Sequence, residues 1–330
     1  MIFGAVPVAD AAGAVLAHGM QGARGKIAKG TVLTAAHLDA LAGAGHETLV
    51  VARLEAGDVA EDQAAAALAA AIVTDEATQG LRISGAGAGR VNLYATGPGV
   101  VSVDRAKIDA INAVDPMITV ATVPPLHRVD AGTMVATIKI IAYAVPGQAV
   151  ETASAAAAEA LLVLPPRFAT ATLIETRVGQ TAPTGKGRAA LTGRLDRLGL
   201  SLGPRVMVAH DTNAIADALR QATGEVVFIL TASATSDVND VAPAALRAAG
   251  GRVAAYGLPV DPGNLLFFGD LDDRPVIGLP GCARSPALNG ADWVMERLIC
   301  GVALDQGDIA AMGVGGLLKE IPTRPRPREG

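Results

Sequence analysis

The sequence predicts an α/β protein: a three-layer αβα domain with a largely parallel sheet, preceded by a smaller mixed α+β domain. Three observations lead there. From residue 167 onward, strand-like and helix-like segments alternate: "RFATATLIETRV", "GKGRAALTGRLDRLGLSL", "RVMVAHD", "TNAIADALRQAT" and "EVVFIL" follow one another. That rhythm builds parallel strands joined by helices on both faces. Residues 1–150 lack the rhythm and mix short strands with helices. The chain is 330 residues long, 51% hydrophobic and 18% charged, enough for two buried cores. The expected division is a mixed domain over 1–150, a connection over 151–166, the αβα domain over 167–302 and a tail over 303–330.

Each element has its own local signal. Thr34 caps a helix carrying Leu38 and Leu41, Gly43 and Gly45 end it, and "TLVVARL" follows as a strand. "GDVAEDQAAAALAAAIV" is a helix with acids in its first turn, where the helix dipole favours them. "VNLYATGPGVVSV" reads as a hairpin turned at Gly97-Pro98-Gly99, and "TMVATIKIIAYAV" as a β-rich run. The Ala-rich "VETASAAAAEALL" is a helix expected to bridge the domains. Later, Leu191, Leu195 and Leu198 share one helix face. "PAALRAAG" and "GADWVMERLICG" are helices, and "NLLFFGDLDDRPVIGLPG" is a hairpin with an acidic turn. The Pro/Arg-rich "IPTRPRPREG" reads as an exposed, extended end.

Composition narrows the function. A net charge of −5 offers no nucleic-acid surface. Two cysteines without a CxxC argue against a disulfide framework or a structural zinc site. The N-terminus lacks the pattern of a signal peptide, and no apolar run approaches the ~20 residues that span a bilayer. The expectation is a soluble, cytoplasmic protein that meets neither membrane nor nucleic acid. "SGAGAGRVNLYA" fails as a dinucleotide motif: Arg90 falls where the third glycine belongs, and a strand-like run follows where a helix is required. The histidines 18, 37, 46, 127 and 210 show no metal-ligand spacing. No Gly-x-Ser-x-Gly elbow surrounds Ser233, Ser236 or Ser285.

One stretch carries a site signal, "VVFILTASATSDVNDVAP" over Val226–Pro243. A buried strand stops at a loop of small and acidic residues, and Pro243 suits the first turn of a helix. Loop N–H groups and the helix dipole there would face an anion. Thr231, Ser233, Thr235 and Ser236 add hydroxyl donors, while Asp237 and Asp240 oppose an anion unless a cation or a proton-accepting step is involved. Asp240 reads equally as a helix cap. Asp211, beside His210 at a strand end, is most simply a cap as well. Two more Gly/Pro-dense loops, "GLPVDPGNLL" and "GLPGCARSPALNGADW", flank the late hairpin. Arg284 in the second is either a surface arginine or a phosphate fork.

These residues resemble the molybdopterin-binding domain of molybdenum cofactor biosynthesis, shared by molybdopterin adenylyltransferases and molybdotransferases. Thr231 and Asp240-Val241-Ala242-Pro243 match T-G-G-T-G followed by D-V-T-P at the same spacing. In the molybdotransferase pattern T-G-G-V-S-V-G-D-Y-D, the last Asp falls on Asp240 and the Ser on Thr235. "DPGNLL" stands where K-P-G-K-P is found, and "GLPGCARSP" where G-L-P-G-N-P-V-S is found. "GKIAKGTVLTAAHLDALAGAGHETLVVARL" resembles the element that precedes the domain in molybdotransferases. The resemblance covers roughly residues 167–301.

The resemblance implies molybdopterin or molybdenum cofactor as ligand. It carries ligand roles to Thr231, Ser233, Thr235, Ser236, Asp237, Asp240, Asp261, Gly263, Asn264, Pro280, Gly281, Arg284 and Ser285. Asp240 would be the catalytic residue, if there is one, with Mg²⁺ held through it. The chain departs from the pattern in the loop, where the glycines are replaced by Ala232, Ser233 and Thr235. The N-terminal P-V-P-x-R-x-V-D-G-Y-A-like stretch is also missing. Fold and ligand class therefore transfer better than activity. The leading expectation is a carrier, or a partner of a cofactor nucleotidyltransferase or of molybdoenzyme maturation proteins, acting as a homo-oligomer. A molybdotransferase- or adenylyltransferase-like enzyme and a non-catalytic interaction scaffold are the alternatives.

Overall fold

The computed structural model describes residues 1–180 and 182–318. The chain divides into two compact units, residues 1–97 with 101–163, and residues 98–100 with 164–330. The extended end expected over 321–330 lies outside the described residues.

The first unit is mixed α+β. Its opening sheet orders Ile2–Pro7, Thr48–Arg53 and Val15–Leu16 as antiparallel neighbours. The helix Ala35–Ala42 begins at Thr34, whose side chain and His37 form a reciprocal capping box. The main core lies between the helix Glu61–Ile72 and a four-stranded antiparallel sheet. There Ala64, Ala65, Leu68 and Ile72 meet Val91, Leu93, Ile138 and Ile140. Alanines on the helix let it approach the sheet closely, which the Ala-rich, aromatic-poor composition requires. The loop ending at Gly89 leads into the strand Arg90–Ala95, as the failed dinucleotide motif predicts.

Two sequence expectations are corrected here. Residues 90–103 do not form a hairpin. The strand Arg90–Ala95 is already flanked by Leu81–Ile83 and Met134–Ile140, so it has no free edge for the next strand. Gly99–Val103 instead joins a separate sheet with His127–Val129 and Leu161–Leu164. The Ala-rich helix, Gly147–Ala155, does not bridge the units. It buries Val150 and Ala153 in the first unit's core, and the chain leaves that unit after Val163.

The second unit is the α/β layer structure. Its elements are β1 (Thr170–Arg177), α1 (Lys186–Asp196), β2 (Ser201–Leu202), β3 (Val206–Ala209), α2 (Thr212–Gln221), β4 (Val226–Leu230), α3 (Val241–Ala248), β5 (Arg252–Tyr256), β6 (Phe267–Leu271), β7 (Arg274–Gly278), α4 (Gly290–Ile299) and α5 (Gln306–Ala311). The sheet runs β2-β1-β4-β7-β6-β5, with β3 also paired to β1. The pairings of β1 with β2, β3 and β4, and of β4 with β7, are parallel; those of β7 with β6 and β6 with β5 are antiparallel. Alternation along β1 and β4 assigns Ile174, Val227 and Ile229 to one face, where α2 and α3 cover them with Ile215, Leu219, Ala245 and Leu246. Leu173, Phe228 and Leu230 take the other face. Gly187 of α1 lies so close to Leu230 that a Cβ would stand 2.3 Å from its side chain.

Within 303–330, residues 306–311 form α5, which buries Ile309 and is capped by Asp305. β5 has no counterpart in the sequence reading. Its small residues between glycines carry little strand signal, and it is ordered by antiparallel pairing with β6. Among the described residues, no helix is long and apolar enough to cross a membrane.

Asp272 and Asp273 turn the β6–β7 hairpin with φ of 51° and 61°. Across that hairpin Gly278 lies opposite Phe267, and a Cβ there would meet the Phe267 ring at 1.8 Å. Gly278→Ala is therefore expected to destabilise the protein by about 1–3 kcal/mol through overpacking. Gly193→Ala, on an open stretch of α1 with nothing within 4 Å, is expected to stabilise it by about 0.5–1 kcal/mol. Urea unfolding of the two variants checks both signs.

Candidate functional site

A cleft of about 400 Å³ opens at the carboxyl ends of β1 and β4, the edge at which open α/β sheets meet their ligands. Its walls are Glu175, Thr176 and Val178 from the end of β1, Ala182, Pro183, Thr184, Gly185 and Gly187 leading into α1, Leu230 and Ala232 from β4 and its loop, and Arg284. Gly185 precedes α1 in a left-handed conformation (φ 81°) and provides no side-chain cap. The first N–H groups of an eleven-residue helix are thus left uncapped by its N-terminal residue, beside the cleft.

Two arginine networks, each reaching a buried carboxylate, hold this geometry. Glu175 is 1% exposed and receives Arg205 through Nε at 2.6 Å and a second nitrogen at 3.2 Å. Arg205 also donates to the Pro183 carbonyl at 2.9 Å, so the ion pair ties the α1 approach to the strand end. Arg194 of α1 is 7% exposed. It pairs with Asp292 and donates to the carbonyls of Ala283, Ser285 and Ala287. Those carbonyls belong to the loop that carries Arg284. Arg284 in turn donates to the Thr231 carbonyl, which closes the ring of contacts around the cleft.

The loop after β4 is bonded mainly to itself. Thr231 Oγ1 donates to the Ser233 carbonyl at 2.6 Å and lies 3.5 Å from Thr235 Oγ1. Tyr256 donates its hydroxyl to the Thr235 carbonyl at 3.0 Å. Burial raises the Tyr256 pKa, and the charges of Asp237 and Asp240 raise it further. Asp237 accepts the Asn239 N–H at 2.7 Å. Asp240 is the N-cap of α3 and accepts the Ser236 N–H on one oxygen and the Val241 N–H on the other. Those two N–H groups hold its carboxyl below the usual carboxylate range, and the charge of His210 adds to the effect.

Of the residues proposed from sequence, Arg284 lines the cleft. Thr231, Ser233, Thr235, Ser236, Asp237 and Asp240 form the adjoining loop. The remaining positions are not among the residues that line the cleft. Asp261 exchanges backbone bonds with Gly316 and Leu318. Gly263 adopts φ +140° with the Gly290 nitrogen 2.7 Å from where its Cβ would be. Asn264 bonds to Leu258. Pro280 and Gly281 open the short 3₁₀ turn before Arg284, and Ser285 Oγ accepts the Ala287 N–H at 3.3 Å. The sequence reading missed Glu175, Thr176, Gly185 and Gly187. The polar pair ending the apolar run "ATLIETR" and the glycines of "PTGKGR" opening a helix are the signals that would have found them. Among the described residues, no group of three or more His, Cys, Asp or Glu side chains could hold a metal ion. The Mg²⁺ expected at Asp240 has no support from a cluster of that kind.

Residues 5–53 match a domain of unknown function (DUF8806). No curated protein matches the chain. Among solved structures, a molybdopterin biosynthesis moeA protein from Pyrococcus horikoshii is 15% identical with a TM-score of 0.33, over 91% of this chain and 75% of that one. A molybdenum cofactor biosynthesis protein B is 17% identical with a TM-score of 0.29, over 41% and 91%. A molybdenum cofactor biosynthesis protein from Pyrococcus furiosus is 12% identical with a TM-score of 0.22, over 86% and 59%. At these scores the likeness carries no argument about function.

The geometry generates two expectations. Arg194→Ala leaves Asp292 buried without its charge partner and is expected to cost about 3–5 kcal/mol in urea unfolding. Asp240→Ala is expected to cost about 1 kcal/mol at neutral pH through loss of the cap. Because the folded carboxyl is more acidic than the unfolded one, that stabilisation is complete above the unfolded value of about 4 and disappears as pH falls through the folded one. The gap between wild type and variant should therefore narrow at acid pH, which unfolding curves at neutral and acid pH would reveal.

Proposed function

We propose that the protein binds molybdopterin or molybdenum cofactor, with the ligand's phosphate in the cleft between β1 and β4, and serves cofactor biosynthesis as a carrier or as the partner of a cofactor nucleotidyltransferase. One observation carries the reading. The two segments with the most family-like spacing, Thr231–Pro243 and Gly278–Pro286, are brought together by the bond from Arg284 to the Thr231 carbonyl, at the mouth of a single cleft. The cleft volume lies within the roughly 300–1,000 Å³ of small-molecule sites. The donors available to an oxyanion are the guanidinium of Arg284 and the uncapped start of α1, a set suited to phosphate.

The carrier role is favoured over transferase chemistry by the loop itself. Ala232 puts a methyl group on the cleft wall where the resembled pattern has a glycine. Asp240 has both carboxylate oxygens engaged by backbone N–H groups, so it is occupied as a cap rather than held ready as a base. A homo-oligomeric state and a cytoplasmic setting belong to the same proposal.

The test is calorimetric titration under anaerobic conditions with molybdopterin and with its molybdenum form. Wild type should bind at least one of them, and Arg284→Ala should weaken that binding at least about ten-fold, or about 1.4 kcal/mol, while retaining a folded melting transition. Failure of folded wild type to bind either form would overturn the reading.

A further inference from the structure

Thr176 stands near the carboxyl end of β1 with its side chain fully buried. Its Oγ1 lies 2.7 Å from the Ala232 amide nitrogen and 3.1 Å from His210 Nδ1. Ala232 belongs to the loop after β4, and His210 directly follows β3. One hydroxyl thus joins the loops of the two strands that flank β1. Thr176 and Ala232 both line the cleft.

A hydroxyl has one hydrogen and two lone pairs. The Ala232 N–H can only donate, so it takes one lone pair. A hydrogen and a lone pair remain, and the state of His210 decides which is used. A neutral ring with a bare Nδ1 accepts the hydroxyl hydrogen. A protonated ring carries a hydrogen on Nδ1 and donates it into the second lone pair. The hydroxyl hydrogen is then displaced and needs a new acceptor, and the cleft that Thr176 lines is where an acceptor can enter.

We infer that His210 is a positioning residue of the cleft: when protonated it turns the Thr176 hydroxyl to donate toward an oxyanion, so that oxyanion binding is coupled to proton uptake by His210. This rests on the preceding reading only in that the cleft takes an oxyanion; it does not require the pterin. The surrounding charges are mixed. Asp211 follows His210 and caps α2, and Asp240 and Asp237 lie in the loop after β4. The Arg177 carbonyl accepts the His210 N–H, while its guanidinium is directed to Gly179 and Gln180. Glu175 is paired with Arg205. Asp240 is electrostatically coupled to His210, which helps to hold its carboxyl in the charged form.

The sign follows. Protonation and oxyanion binding assist each other, so affinity is higher at acid pH and falls as pH rises. Sulfate is a suitable probe because its charge does not change over that range. Amide NMR titration should show sulfate binding at the cleft at least about five-fold tighter at about pH 5.5 than at about pH 8. His210→Gln, which leaves the Ala232–Thr176 bond in place, should flatten the ratio to within about two-fold, as should Thr176→Val. Thr176→Ser, which restores the hydroxyl, should recover the pH dependence. A ratio near one in wild type, a full ratio in folded His210→Gln, or no sulfate binding at either pH would overturn the inference. Absence of molybdopterin binding alongside an intact sulfate ratio would sink the pterin reading and leave this one standing.

Discussion

Much of the second unit depends on Arg194. A buried guanidinium must satisfy its charge and its N–H groups without water, so its partners are held to a narrow geometry. Here those partners are the Asp292 carboxylate, at the start of α4, and the loop carbonyls of Ala283, Ser285 and Ala287. Asp292 in turn receives the Asn289 N–H in a capping box. One side chain on α1 therefore sets where α4 begins and how the intervening loop runs. Arg284 is presented to the cleft as a consequence. An apolar side chain at position 194 would fill volume, but it would leave those carbonyls and Asp292 unpaired, which makes the arginine a specifier of loop conformation as well as a packing element.

The parallel half of the fold was legible because its signals are local. Apolar runs such as Val226–Leu230, caps such as Asp211 and Asp240, and the Asp272-Asp273 turn act over a few residues, and each appears where its chemistry places it. Errors arose where the answer depended on distant partners. Nothing within residues 90–103 reveals that both edges of the first strand are taken by Leu81–Ile83 and Met134–Ile140. The small residues of β5 become a strand because β6 offers an edge. The same division holds at the site. Arg284 was found by its own chemistry, whereas Thr176 and Glu175 gain meaning only once His210, Ala232 and Arg205 stand beside them.

The substitution of glycines in the loop after β4 has a physical consequence beyond steric bulk. A Gly-rich phosphate loop keeps its N–H groups free for the ligand. Here the side chains of the same loop engage its own backbone. Thr231 donates to the Ser233 carbonyl, Asp237 and Asp240 take the N–H groups of Asn239, Ser236 and Val241, and Thr176 takes that of Ala232. Such a loop is ordered before any ligand arrives, so binding costs little further conformational entropy. An oxyanion in the cleft would also meet the α1 start, Arg284 and whatever donor Thr176 can release. Within this loop the N–H groups of Ala232, Ser236, Asn239 and Val241 are committed to side chains, so close enclosure of an oxyanion by backbone donors would fall to the other positions.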